Sequence, residues 1–223
     1  GKMGEMERGQ GVGREGGRGG VGRRGGMGKS GKGGAVGRRG RGGLNLFHLG
    51  GGREVARSAM RVGIGFDAHR FTPHRPLILG GVRVREHHGL AGHSDADVLV
   101  HAVIDALLGA AGMDDIGTLF PDSDPALAGA DSLLLLRRVG ARLAEAGVRI
   151  FNVDAVVICE DPKISLHRTA MREGMAAALE VPVSAISVKG KTAEGMGFTG
   201  RGEGIAAQAV ALARLSAGDD RDG

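Results

Sequence analysis

The chain has 223 residues, a formal charge of +5 and a single cysteine, Cys159. That length suits one domain of ordinary size with an appendage rather than two full domains, and one cysteine excludes an internal disulfide and fits a reducing compartment. No stretch approaches the roughly 18 apolar residues of a membrane span and no apolar secretory core opens the chain, so no membrane partner is expected.

The charge is unevenly spread. Residues 1–60 carry 13 Lys or Arg against 4 Glu, whereas the remainder carries 17 basic and 21 acidic residues and is net acidic. The first 60 residues also hold 23 of the 44 glycines, few large apolar side chains before Leu44 and no periodicity. They cannot offset the entropy of ordering and read as a disordered leader. The Gly/Arg composition raises an RNA-binding reading, but no Phe, Tyr or Trp precedes Phe47 to stack on bases, and nucleic acid is not the expected partner. A plastid transit peptide is Arg-rich but also Ser-rich and poor in acids, and here only Ser30 and Ser58 stand beside four glutamates. The expected location is cytoplasmic, of bacterial type, with a plastid as the alternative if the leader is a transit peptide.

The folded domain is expected over residues 61–216, followed by a flexible tail at 217–223. Val62, Ile64 and Phe66 alternate with small residues, the pattern of a half-buried strand, and lead into Asp67 and His69. Leu77–Leu79 and Val82–Val84 flank Gly80-Gly81, a hairpin signature. Ser94 with Asp97 resembles a capping box before an apolar helix that ends at Gly112. Asp131-Ser132 heads a second helix whose body is Leu133–Leu143 and whose end is Gly147. Val148 to Glu160 reads as a long strand stopped by Asp161-Pro162, Leu166–Leu179 as a third helix and Ile186–Thr192 as a strand. Gly204–Leu215 fits strand or helix. This order predicts an α+β fold with one mixed four-stranded sheet, helices on one face and the other face buried between subunits of a homo-oligomer.

Asp67 and His69 stand two apart, which on a strand puts both side chains on one face. A zinc-like ion needs at least one more protein ligand, and His101 is the candidate, flanked four residues either side by Asp97 and Asp105 that could orient it or its neighbours. On spacing alone a chance Asp-x-His in a chain of eight histidines stays an open alternative. The run from Gly190 to Gly204 combines glycines with Lys191, Arg201, the Thr192 hydroxyl and the Glu194 carboxylate, the chemistry of a phosphate cradle with a place for a hard cation. An ordinary glycine-rich turn is the other reading. Asp115, Asp122 and Asp124 follow the first helix, either as solvated loop acids or as acceptors for sugar or polyol hydroxyls.

Together these segments resemble the 2-C-methyl-D-erythritol 2,4-cyclodiphosphate synthase family of the non-mevalonate isoprenoid pathway. The resemblance runs from about Arg61 to Leu215 through Gly65-Phe66-Asp67-Ala68-His69, Gly92-His93-Ser94-Asp95-Ala96-Asp97-Val98 with His101, Asp115-Ile116-Gly117, Phe120-Pro121-Asp122-Ser123-Asp124, Pro162-Lys163 and Gly197-Phe198-Thr199-Gly200-Arg201-Gly202-Glu203-Gly204. It implies a homotrimer with active sites between neighbouring subunits. It implies zinc, or a similar divalent ion, at Asp67, His69 and His101, and magnesium or manganese at Glu194 on the substrate diphosphate. His93 and Thr192 match the transition-state positions, with Ser94 beside His93 on the substrate. Cytidine is expected against Asp161, Pro162, Lys163, Ser165 and Thr192, its ribose near Asp115, and the erythritol portion near Asp122 and Asp124. Ile116, Gly117, Phe120, Phe198 and Arg201 belong to the same substrate-binding set. Ala193 departs from the threonine run of many members, and no role is expected for it.

The reaction so implied closes 4-diphosphocytidyl-2-C-methyl-D-erythritol 2-phosphate onto itself and expels CMP. A zinc-dependent phosphohydrolase is the rival for the same ligands. Because Met60 immediately precedes the family-like start Arg61-Val62-Gly63, residues 1–59 are expected to be either foreign to the native protein or a targeting segment.

Overall fold

The computed structural model describes residues 59–216; residues 1–58 of the expected leader and the expected tail lie outside the described residues, while Ala59 and Met60 begin the first strand. Strand β1 (Ala59–Thr72) pairs antiparallel with β7 (Gly204–Leu215), β7 pairs antiparallel with β5 (Val148–Ile158), and β5 pairs parallel with β6 (Ile186–Lys191). A fifth strand, β4 (Gly89–Leu90), pairs with the end of β1, giving the order β4-β1-β7-β5-β6. The sheet therefore has five strands rather than the expected four, because a two-residue strand carries no period to read.

The remaining elements cover one face. Helix α1 (Val98–Ala111) lies across β1 and β7, α3 (Ser132–Glu145) packs on α1, and α4 (Arg168–Leu179) packs on α3 and β6. The hairpin of β2 (Leu77–Leu79) and β3 (Val82–Arg85) turns through Gly80 and Gly81, both at positive φ, a conformation that glycine adopts without a Cβ penalty. Two single-turn helices, α2 (Ile116–Leu119) and α5 (Gly197–Gly200), hold loops beside the sheet.

Strand β1 reverses the expected burial. Val62, Ile64 and Phe66 point away from the helices and are 66%, 63% and 58% exposed, while Gly63 and Gly65 are buried against α1. The helix sits so low on the sheet that only hydrogen atoms fit on its side of β1 at these positions. Opposite them β7 offers Ala207, Ala209, Ala211 and Ala213, all fully buried. Small residues there let the α1 backbone approach, and close packing recovers dispersion energy across the interface. The ambiguous Gly204–Leu215 segment is thus a central strand.

The α1 cap also differs from the sequence reading. Asp97, not Ser94, is the N-cap, accepting from the backbone N–H of Leu99 and Val100, and Gly112 closes the helix at φ 74° as expected. The fully buried Asp97 carboxylate further accepts Gly80 N–H at 2.9 Å and Gly81 N–H at 2.6 Å, tying the hairpin to the helix N-terminus. Among the described residues no helix is long and apolar enough to cross a membrane.

Candidate active site

Because side chains alternate along a strand, Asp67 and His69 continue the face on which Gly63 and Gly65 meet α1. Where the glycines end, His101 descends from the second turn of α1 into the same space. Asp67 Oδ2 lies 2.9 Å from His69 Nε2 and 3.0 Å from His101 Nδ1, and the two nitrogens are 3.5 Å apart. A tetrahedral ion with ligand bonds of about 2.0–2.1 Å holds its donors about 3.3 Å apart, so this triangle fits such an ion with small adjustments. Two imidazoles and a carboxylate are also the donor set that leaves a fourth position open. Among the described residues this is the one group of three or more His, Cys, Asp or Glu able to hold a metal ion.

The electrostatics agree with the geometry. Burial by itself pushes the Asp67 carboxyl up, but hydrogen bonds from His101 and His69 and their charges outweigh it and hold the group well below the usual carboxylate range. Burial pushes the His101 imidazole down, yet the hydrogen bond and charge of Asp67, with the charges of Asp97 and Asp95, leave it raised.

His101 is oriented by Ser94 and by Ser132, a residue read in the sequence only as the head of a helix. Its Nε2 lies 3.0 Å from Ser132 Oγ and 3.2 Å from Ser94 Oγ. Ser132 donates its hydroxyl to Asp95 Oδ1 and its backbone N–H to Asp95 Oδ2 at 2.9 Å. Asp97 and Asp105, the flanking carboxylates on α1, instead hold neighbouring segments: Asp97 holds the hairpin, and Asp105 Oδ1 accepts Ile116 N–H at 2.8 Å and so pins α2. A run such as Asp95 to Ser132 spans two elements and has no spacing rule by which to find it.

The donor triangle opens onto a cavity of about 240 Å³ lined by His93, Ser94, Ile116, Gly117, Phe120 and Asp122, together with Gly92, Asp105, Leu127 and Leu135. Six of the expected substrate and transition-state residues thus line the cavity at the donor triangle. Asp115 and Asp124 flank it without lining it: Asp115 caps α2 by accepting Thr118 N–H at 2.8 Å, and Asp124 accepts Ala126 N–H at 2.9 Å. The Thr118 hydrogen bonds hold the Asp115 carboxyl below its ordinary range.

The remaining residues lie elsewhere on the chain. Thr192 and Glu194 sit beyond the end of β6, the Thr192 hydroxyl donating to Glu194 Oε1, while Glu160 accepts the backbone N–H of Ala193 at 2.9 Å. One exposed carboxylate suits magnesium or manganese, which keep several waters and bind largely through substrate phosphates. Asp161 lines a different cavity of about 270 Å³ with Arg85, Glu160 and Thr199, and Pro162 follows it through a cis peptide bond. Lys163 and Ser165 are exposed beside it. Phe198 lines a third cavity, of about 530 Å³, with His69, Phe71 and Glu203, and Arg201 Nε donates to Glu203 at 2.6 Å. Cys159 is buried, and burial, aided by Asp161 and Glu160, pushes its thiol up to about 11, the environment of a packing cysteine.

Residues 60–214 match the model of the YgbB family. The chain belongs to the YgbB family. Curated relatives named 2-C-methyl-D-erythritol 2,4-cyclodiphosphate synthase include that of Aromatoleum aromaticum, 57% identical over 156 residues, which are 70% of this chain and 94% of the relative. The Azoarcus relative of the same name is 60% identical over 152 residues, 68% of this chain and 94% of its own. Among solved structures the family fold matches IspF of Plasmodium falciparum in a CDP complex, with TM-score 0.62 and 35% identity over 70% of this chain and 97% of that one. A CDP-bound 2C-methyl-D-erythritol-2,4-cyclodiphosphate synthase matches with TM-score 0.63 and 35% identity, covering 69% and 99%. The YgbB segment contains the donor triangle, its cavity and the loop at Thr192.

Proposed function

We propose that this chain converts 4-diphosphocytidyl-2-C-methyl-D-erythritol 2-phosphate to 2-C-methyl-D-erythritol 2,4-cyclodiphosphate with release of CMP. It is then a phosphorus-oxygen lyase of non-mevalonate isoprenoid biosynthesis. The observation that carries the reading is that relatives named for this product align with the chain over nearly their whole length, on the segment that builds the donor triangle and its cavity.

In this reaction an oxygen of the 2-phosphate forms a bond to the β-phosphorus. The bond from that phosphorus to the bridging oxygen breaks, and CMP leaves with the electron pair. Zinc at Asp67, His69 and His101, and magnesium or manganese at Glu194, would supply neutralising charge to the phosphate oxygens. The chain's own part is positioning. His93 and Ser94 stand at the cavity beside the donors, where they meet the reacting phosphates. Asp122 and Asp124 take the erythritol portion and Asp115 the ribose, and the clamp of Asp105 on the Ile116 N–H holds α2 in place beside them. The Thr192 hydroxyl is a donor for phosphate oxygen in the transition state. Holding the substrate bent turns closure into an intramolecular step, for which orientation alone lowers the barrier substantially. No protein nucleophile is needed, since the attacking phosphate is already ionised.

The working form in this reading is a homotrimer with its site between subunits. Support comes from the apolar row Met60, Val62, Ile64 and Phe66 on the open face of the sheet, joined by Val210 opposite Ile64. It also comes from the division of the expected residues. The erythritol end gathers at the metal cluster, while Asp161, Pro162, Lys163, Ser165, Thr192 and Glu194 form a second group around the ends of β5 and β6, so that two copies can each supply one half. The bacterial relatives support a cytoplasmic enzyme.

Incubating the chain with the cytidyl substrate and following CMP and cyclic diphosphate tests this, with His101→Ala as control. CMP and cyclic product in equal amounts are expected, lost in the variant. Release of inorganic phosphate without cyclic product would establish the hydrolase instead.

A further inference from the structure

We infer that Asp95 and Ser132 form a relay that fixes the ring of His101 as its Nε2–H tautomer and so presents the Nδ1 lone pair to the metal position. The inference rests on the metal reading given above and names positioning residues for it.

The argument is a count of protons. The Ser132 hydroxyl has one, and Asp95 Oδ1, a carboxylate oxygen that can only accept, lies within hydrogen-bonding reach of it. If that proton turned to His101, two oxygen lone pairs would face each other across this contact. With its hydroxyl donated to Asp95, the Ser132 oxygen can only accept from its other neighbour, His101 Nε2 at 3.0 Å. Ser94 Oγ, at 3.2 Å from the same nitrogen, can accept as well, and already takes the N–H of Ala96 at 3.2 Å. On this side of the ring the acceptors are satisfied when Nε2 carries the proton, which leaves Nδ1, 3.0 Å from Asp67 Oδ2, as the nitrogen for the metal position.

The carboxylate that starts the relay is itself held still. Asp95 Oδ1 accepts Asp97 N–H at 3.2 Å, Oδ2 accepts Ser132 N–H at 2.9 Å, and the Asp95 N–H donates to Ala130 O at 3.0 Å. Ser132 is fully buried at the first turn of α3. The relay therefore links the α3 N-terminus to α1 and aims Nδ1 at Asp67 Oδ2 and His69 Nε2. Partners of this kind raise the basicity of a ligating imidazole and remove the cost of choosing a tautomer at binding.

The test uses the full chain, with zinc alone as the probe. Zinc affinity is measured by chelator competition for the wild type, Ser132→Ala and Asp95→Asn. Beside it, long-range proton–nitrogen correlation on the zinc-loaded wild type labelled at histidine nitrogen reads the ring of His101 directly. Both variants are expected to bind zinc about 10- to 100-fold more weakly, while the spectrum shows a protonated Nε2 and a metal-bound Nδ1. A merely structural role would lower the melting temperature and leave the affinity unchanged. Wild-type affinity in both variants overturns the relay and leaves the metal reading standing. An unprotonated Nε2, as expected if Ser94 donates to it, overturns it even where the variants fail to fold. Failure of the wild type to bind zinc overturns the metal reading and the relay with it.

Discussion

Gly65 lies so close to α1 that a Cβ built on it would stand 2.0 Å from the carbonyl oxygen of Ala102, and Gly63 repeats the contact one turn on, at 2.0 Å from that of Ala106. Backbone, not a movable side chain, occupies the space, so Gly65→Ala must push helix and strand apart. Overpacking of a core typically costs about 1–3 kcal/mol, and a backbone clash belongs at or above the top of that range. The expected outcome is a fall of about 3 kcal/mol or more in unfolding free energy, read from urea midpoints. Zinc affinity falls as well, because Asp67 and His101 sit on the two elements being separated.

That contact explains why β1 was legible as a strand but not in its orientation. Alternation at Val62, Ile64 and Phe66 identifies the period, and an apolar row normally faces the core. Here the glycines face it, since the intervening helix leaves no room for a Cβ, and the apolar row is left for another surface. The second helix, with its Asp131 cap, and the Gly80-Gly81 turn were legible because each rests on chemistry local to a few residues. The same holds for Asp67 and His69, neighbours on one strand. By contrast the Asp95 to Ser132 to His101 contacts and the Asp97 bonds to the hairpin join residues 16 to 37 positions apart, and only the packing of α1 against its surroundings creates them. The capping signal was read three residues early for the same reason: Ser94 turns toward His101 and Ala96, leaving Asp97 to cap.

Three groups shape the pH profile of the metal-free chain. Asp67 is held below the usual carboxylate range, so its contribution to stability is present above about pH 4 and lost as the pH falls toward its folded value. Burial, then the charge of Asp95, pushes Asp97 up to about 6 against its backbone N–H donors. Its contribution is complete below about pH 4 and lost as the pH rises through that value. His101 is raised, so its contribution is present below about pH 6.5 and lost above its folded value. Together they place maximal stability near about pH 4 to 5, with a decline toward neutrality. Zinc competes with the proton on Nδ1, so the increase in melting temperature on adding zinc is expected to be larger at pH 8 than at pH 6. Melting curves with and without zinc at pH 5, 6 and 8 check both signs, and a zinc shift that grew on acidification would contradict the ligand assignment.

Thr192→Ala removes a hydroxyl that donates to Glu194 in the resting chain and is free to turn to a phosphate oxygen. Loss of one aligned donor of this kind typically costs about 3 to 4 kcal/mol of transition-state stabilisation. Turnover is expected to fall about 100- to 1,000-fold with little change in KM, since the interaction strengthens only as charge develops. Steady-state kinetics at saturating magnesium separate this from a binding defect, which would raise KM at constant kcat.

The apolar row on the open sheet face gives a sharper separation. Ile64 is 63% exposed in a single chain and pairs with Val210, itself 41% exposed, so the two form the middle of a contiguous apolar strip. Ile64→Asp places a carboxylate there, and burying it unpaired between subunits costs several kcal/mol per copy. The wild type is expected to sediment as a trimer and the variant as a monomer. The donor triangle lies wholly within one chain and on the opposite face of β1, so the monomer should keep its zinc affinity. The erythritol and cytidine ends would no longer be brought together by a neighbouring copy, and turnover should collapse. Zinc affinity and turnover falling together would mean that the substitution had damaged β1 itself, whereas full turnover by the monomer would place the whole active site within one chain.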